Sequence, residues 1–124
     1  ELIIQGLINE ERYARTFVRG KFKIKKWGRI KIINSLQAKK ISKECIRKGL
    51  EEINETAYRD TLIEVLNKKA KTIIRERVSI KRNKLIKYAI SKGFEYELII
   101  NTLDETFIAF RSEFGTSRSD NSKS

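Results

Sequence analysis

"RIKIINSLQAKKISKECIRKGLEEI", residues 29 to 53, lies without a gap on "RNKLIKYAISKGFEYELIINTLDET", residues 82 to 106. Eight of the 25 positions are identical: Arg29/Arg82, Lys31/Lys84, Ile33/Ile86, Lys39/Lys92, Glu44/Glu97, Ile46/Ile99, Leu50/Leu103 and Glu52/Glu105. Apolar character is kept at Ile32/Leu85, Leu36/Ala89, Ile41/Phe94 and Cys45/Leu98. In a chain rich in Lys and Ile some identities come free, but agreement among apolar positions is harder to reach by chance. Self-similarity at this period marks a supersecondary unit that stacks on its neighbours to complete a core.

The segment before each copy repeats as well, in another register. "NEERYARTFV" at 9 to 18 lies on "NETAYRDTLI" at 54 to 63, an offset of 45 rather than 53. The second copy therefore carries eight extra residues, placed within 64 to 81. "ELIIQGL" at 1 to 7 matches "ELIINTL" at 97 to 103 and reads as the tail of a truncated upstream repeat.

Inside each unit the apolar spacing is helical, as in Tyr13/Phe17, Ala14/Val18, Ile32/Leu36 and Ile46/Leu50. Asn9, Ser42 and Asn54 stand where helices should start, and their short polar side chains accept from free N–H groups there. Glu95 holds the place equivalent to Ser42 and is a poor cap. These signals predict helices over 9–22, 28–40, 43–53, 55–77, 79–92 and 95–108. The long fourth helix would carry Tyr58, Leu62, Val65, Leu66, Ile73 and Ile74, its surplus packing on the neighbouring unit or on the C-terminal segment around Phe107, Phe110 and Phe114. The expected fold is all-α: tandem three-helix repeats stacked into an elongated, curved right-handed-helix array. The repeats span 8–53 and 54–107, the second with a longer first helix, and 108–124 forms a C-terminal extension and flexible tail.

Composition agrees and narrows function. The 124 residues include no Pro, which suits an all-helical chain because proline removes a helix donor and clashes with the preceding turn. There is no His and a single Cys, so His-based acid–base catalysis, His metal ligation and thiolate clusters are excluded. The six glycines are scattered singly, without a phosphate-binding loop. Tyr13 and Tyr58 fall on apolar faces and read as core rather than nucleophiles, and Cys45 as a small core residue. Neither catalytic residues nor a cofactor are expected, and no apolar run approaches the ~20 residues a membrane span needs. The lone cysteine suits a reducing cytoplasm.

Charge is the informative feature. Lys and Arg number 28 against 16 Asp and Glu, a net charge of +12. Residues 12 to 31 contain nine cations and no acid, and residues 68 to 92 contain ten with one acid, Glu76. Such runs are usually solvated faces. Repeated along a stack, however, they form a stripe suited to nucleic-acid phosphate or an acidic protein surface. The contact candidates are Arg12, Arg15, Arg19, Lys21, Lys23, Lys25, Lys26 and Arg29, with Lys81, Arg82 and Lys84 in the second copy and Trp27 as an aromatic anchor. Few aromatics interleave with the cations, so base stacking is weakly supported.

The ordered set Glu10-Glu11, Tyr13-Ala14, Phe17-Val18-Arg19, the basic run Lys21 to Lys26, Trp27-Gly28, Ile32 or Ile33 to Leu36, then Ile46 and Leu50 resembles the RecX family. The turn after the basic run departs from that family's common Gly-Pro form, being Trp-Gly here. The resemblance implies a non-enzymatic, cytoplasmic, monomeric regulator, in most cases an inhibitor, of the RecA recombinase. Such proteins bind along the RecA filament and limit its growth, ATP hydrolysis and strand exchange. DNA, single- or double-stranded and without sequence preference, is a second partner. The alternative is a nonspecific nucleic-acid-binding helical repeat protein acting independently of RecA.

Overall fold

The computed structural model describes residues 9–114, with side chains as far as Glu105. Segment 1–7, residues 115–124 and the side chains of Phe107, Phe110 and Phe114 lie outside the described residues. The described chain is six helices and no strand: α1 (Glu10–Lys23), α2 (Arg29–Ala38), α3 (Lys43–Leu50), α4 (Glu55–Ala70), α5 (Val78–Ser91) and α6 (Tyr96–Phe114). Helices α1, α2 and α3 pack mutually, and so do α4, α5 and α6.

Both registers of the repeat recur in the backbone. Asn9 Oδ1 accepts from the Arg12 N–H at 3.1 Å, and 45 residues later Asn54 Oδ1 accepts from Ala57 at 2.9 Å. At offset 53, α2 and α5 end alike. Lys40 and Gly93 both have positive φ, 63° and 99°. Ile41 N–H donates to the Leu36 carbonyl at 3.1 Å and Phe94 N–H to the Ala89 carbonyl at 3.2 Å, closing each helix with a left-handed residue and a back-reaching bond. Burial repeats too, since Ile32/Leu85, Leu36/Ala89, Ile41/Phe94 and Ile46/Ile99 are all core.

The eight extra residues do not carry α4 to 77 as the periodicity predicts, although at 16 residues it is longer than α1 at 14. The helix stops at Ala70, and 71–77 is a connector. Thr72 Oγ1 donates to the Lys69 carbonyl at 2.7 Å, Ile73 N–H donates to the Ala70 carbonyl at 3.1 Å, and Arg75 turns left-handed at φ 60°. The turn sends Ile73 into the core, where it is 6% exposed, and leaves Ile74 in solvent at 68%. A continuous apolar face through both isoleucines is therefore not formed.

Ala14 and Gly49 let α1 and α3 approach closely, since a Cβ on Gly49 would stand 3.0 Å from Ala14 Cβ. One continuous core runs from Ala14 and Val18 through Tyr58 to Ile99 and Leu103. Its centre is an aromatic row in which Tyr58 lies between Phe22 at 5.8 Å and Phe94 at 5.2 Å.

Candidate interaction surface

Helix α1 carries its arginines at Arg12, Arg15 and Arg19, and the fold treats them differently. Arg15 sits opposite the C-terminal end of α3. Its Nη1 donates to Glu52 Oε2 at 2.9 Å, Nη2 to Glu51 Oε1 at 3.1 Å and Nε to Glu11 Oε2 at 3.1 Å. Arg19 Nη1 donates to the other Glu52 oxygen at 3.0 Å. The hydrogen bond from Arg15, then that from Arg19, holds the Glu52 carboxyl below its ordinary range. Glu11 is lowered first of all by Arg15, and the Arg15 guanidinium is held on its protons by Glu52 above the rest. Both arginines thus clasp α1 to α3.

Arg29 joins the two halves of the chain. Its guanidinium carbon lies 4.0 Å from the Tyr58 ring centroid, Nη1 donates to Glu95 Oε2 at 3.2 Å, and Nη2 pairs with Glu55. The α2 N-terminus has no side-chain cap of its own. Instead Tyr58 Oη accepts from the Arg29 N–H at 2.8 Å, while the Lys92 and Gly93 carbonyls accept from Gly28 and Ile30 at 2.7 and 2.9 Å. The Tyr58 hydroxyl donates to Glu95 Oε1 at 2.6 Å, and burial, then that bond, raises its pKa well above the phenol value. Glu95 was legible only as a poor cap; its real work is with Tyr58 and Arg29.

Other candidates are also paired: Lys26 with Glu64 at 3.6 Å, Arg82 with Asp104 at 3.0 Å and Lys84 with Glu76 at 2.7 Å. Arg12, Lys21, Lys23, Lys25 and Lys81 have no carboxylate within 4 Å among the described residues. Of these, Arg12, Lys23 and Lys25 are exposed. The Lys25 carbonyl accepts from Lys92 Nζ at 2.9 Å, and burial first, then Lys31 and Lys25, lowers the Lys92 pKa.

Trp27 is half-buried against Phe17, ring centroids 6.5 Å apart, and Phe17 stacks on Tyr13 at 6.0 Å. Lys21 Nζ lies 5.0 Å and Lys31 Nζ 4.7 Å from the Trp27 ring, and Lys39 Nζ lies 5.8 Å from Phe17. Ammonium groups held over ring faces are attracted by the ring quadrupole. This aromatic strip rimmed by lysines was only partly visible in the sequence. Lys21 follows Phe17 by four residues, a helical-neighbour spacing, but Lys31 and Lys39 come from α2 and its end. Among the described residues no cluster of acids, Cys or His could hold a metal, and no helix is long and apolar enough to cross a membrane.

Residues 9–50 match a family model described as RecX, second three-helix domain. The chain is 28% identical over 102 residues to the regulatory protein RecX of Clostridium botulinum (strain Eklund 17B / Type B), covering 81% of this chain and 47% of that protein. It is 31% identical over 102 residues to the regulatory protein RecX of Lactococcus lactis subsp. cremoris (strain SK11), covering 80% and 38%. The crystal structure of RecX from Lactobacillus salivarius has the same fold, with a TM-score of 0.75 at 24% identity over 82% of this chain and 66% of that one. The chain spans less than half the length of the curated relatives it matches. Its resemblance to the RecX family thus stands in sequence and in fold.

Proposed function

We propose that this protein regulates the RecA recombinase, as an inhibitor that lies along the RecA nucleoprotein filament and limits its growth, ATP hydrolysis and strand exchange. The support is twofold: relatives named regulatory protein RecX, and a cationic face that the fold leaves unpaired. The carrying observation is the division among the cations of 12 to 31. Arg15, Arg19 and Arg29 are consumed by internal carboxylates, whereas Lys21, Lys23 and Lys25 are not. Unpaired cations beside an anchored aromatic suit a partner's acidic surface, with DNA phosphate as a second contact. In this reading α1–α3 and α4–α6 are successive repeats of a monomeric, cytoplasmic protein that performs no chemistry. The test follows ATP hydrolysis and filament length of cognate RecA on single-stranded DNA with the wild type and with Lys21→Glu/Lys23→Glu/Lys25→Glu. Wild type should suppress both, and the folded triple variant should not. A wild type without effect refutes the function. A triple variant as potent as wild type moves the recognition surface elsewhere.

A further inference from the structure

The connector that replaces the expected extension of α4 does more than span a gap. Together with α4 and α5 it walls an open cleft of about 480 Å³. That lies within the ~300–1,000 Å³ of ligand-binding pockets. Its apolar lining is Ile73, Ile74 and Tyr88, with Thr72 beside them. Its rim is cationic: Lys69, Lys84 and Lys87. The one acid in the lining, Glu76, is already engaged with Lys84 at 2.7 Å, so the rim's remaining charge comes from Lys69 and Lys87. Lys69 Nζ lies over the Tyr88 ring, 4.8 Å from its centroid, which fixes one of the two against the aromatic wall. Ile74 is 68% exposed, and Val78 and Ile80 just beyond the connector are 55% and 41% exposed. In the first unit the corresponding connector, residues 24–28, is two residues shorter than 71–77.

We propose that this cleft docks an acidic peptide segment of a protein partner, one that presents a large aliphatic side chain between carboxylates. The aliphatic chain covers the exposed Ile74, and the carboxylates meet Lys87 and the Lys69 held on the Tyr88 ring. Charge complementarity selects an anionic occupant. The apolar wall between the lysines then selects peptide over nucleic acid, because a solvated phosphate chain leaves Ile74 exposed and gains nothing from it. The proposal is independent of the regulatory function argued above, and no recombinase enters its test.

The probes are a fluorescein-labelled peptide alternating Asp and Leu, the same peptide with Ser in place of Leu, and labelled oligothymidylate of equal charge. Anisotropy titrations use the full protein and the variants Ile74→Ser and Lys69→Glu/Lys87→Glu. Ile74 is exposed, and circular dichroism checks that each variant keeps its helices. The Asp/Leu peptide should bind about tenfold more tightly than the Asp/Ser peptide, the loss expected when one aliphatic side chain goes unburied. Ile74→Ser should remove most of that difference, and the double reversal should abolish binding of both peptides. Equal binding of the two peptides, or unchanged binding by either folded variant, overturns the proposal. So does oligothymidylate displacing the Asp/Leu peptide at equal concentration, which would mark a polyanion surface.

Discussion

Gly28 lies so close to Gly93 that a Cβ built on it would stand 2.3 Å from the Gly93 carbonyl carbon. Gly28 has φ −82° and ψ 172°, a conformation any residue adopts, so space alone demands glycine there. Gly28→Ala should destabilise by about 1–3 kcal/mol through overpacking. Gly20, inside α1 with nothing within 4 Å of its would-be Cβ, is the control. Gly20→Ala should stabilise by up to about 1 kcal/mol through helix propensity alone. Urea unfolding of both variants should give opposite signs; a neutral Gly28→Ala would mean that the two halves part without cost.

Tyr58→Phe removes the hydroxyl that accepts from the Arg29 N–H and donates to Glu95 while leaving the Phe22–Tyr58–Phe94 row in place. Leaving those partly buried partners unmatched should cost about 1–3 kcal/mol. Amide exchange supplies the local readout: protection at Arg29 should fall, while that within α3 should hold.

Lys40 ends α2 at φ 63° where the equivalent Gly93 ends α5 at 99°. A side chain in the left-handed region costs roughly 1–2 kcal/mol, and glycine relieves it. Lys40 is exposed, so little else is lost. Lys40→Gly should raise the urea midpoint, a gain in unfolding free energy of about 0.5–1 kcal/mol after the entropy glycine adds to the unfolded chain. A lowered midpoint would show that the Lys40 side chain contributes a contact that outweighs the strain.

Glu52 and Glu11 have folded-state pKa values held below their ordinary range, chiefly by Arg15. Groups depressed in this way stabilise above the unfolded carboxylate value, about 4.3, and lose that stabilisation as pH falls through the folded values beneath it. Thermal midpoints should therefore drop between pH 5 and acid, by the linkage between proton binding and folding. Arg15→Met should melt lower at pH 7 and show a shallower acid decline. Parallel curves for variant and wild type would exclude the α1–α3 clasp as the source.

Exchanging Arg15 against exchanging Lys21, Lys23 and Lys25 separates fold from recognition. Surface cations without partners add little to stability, since even exposed ion pairs give only ~0–1 kcal/mol. The triple reversal should lower the melt only slightly, through the lost Lys21 contact with the Trp27 ring, and abolish RecA inhibition, and wild-type inhibition should weaken as rising salt shortens the Debye length below its value of about 8 Å at physiological ionic strength. Arg15→Met should do the reverse, lowering the melt and keeping the inhibition of whatever remains folded. The converse pattern would place Arg15 on the recognition surface.

The sequence alone determined the all-helical class, the offset-53 register of the apolar positions and the polar caps Asn9, Ser42 and Asn54. These are local facts: periodicity and N–H satisfaction are decided within a turn or two of helix. It also located the cations, because composition is read directly. Only the tertiary structure decided what each cation does. Arg15 meets Glu51 and Glu52 across 36 and 37 residues, and Arg29 meets Glu95 across 66, distances along the chain that no spacing rule reaches. The end of α4 was decided in the same way. Ile73 and Ile74 both continue an apolar pattern, but the core accepts one and the chain turns to admit it. Which helix start would be capped from outside was likewise settled by packing. Gly28 carries no capping side chain, and the carbonyls of Lys92 and Gly93 with the Tyr58 hydroxyl complete that helix only once the second half of the chain has folded against it.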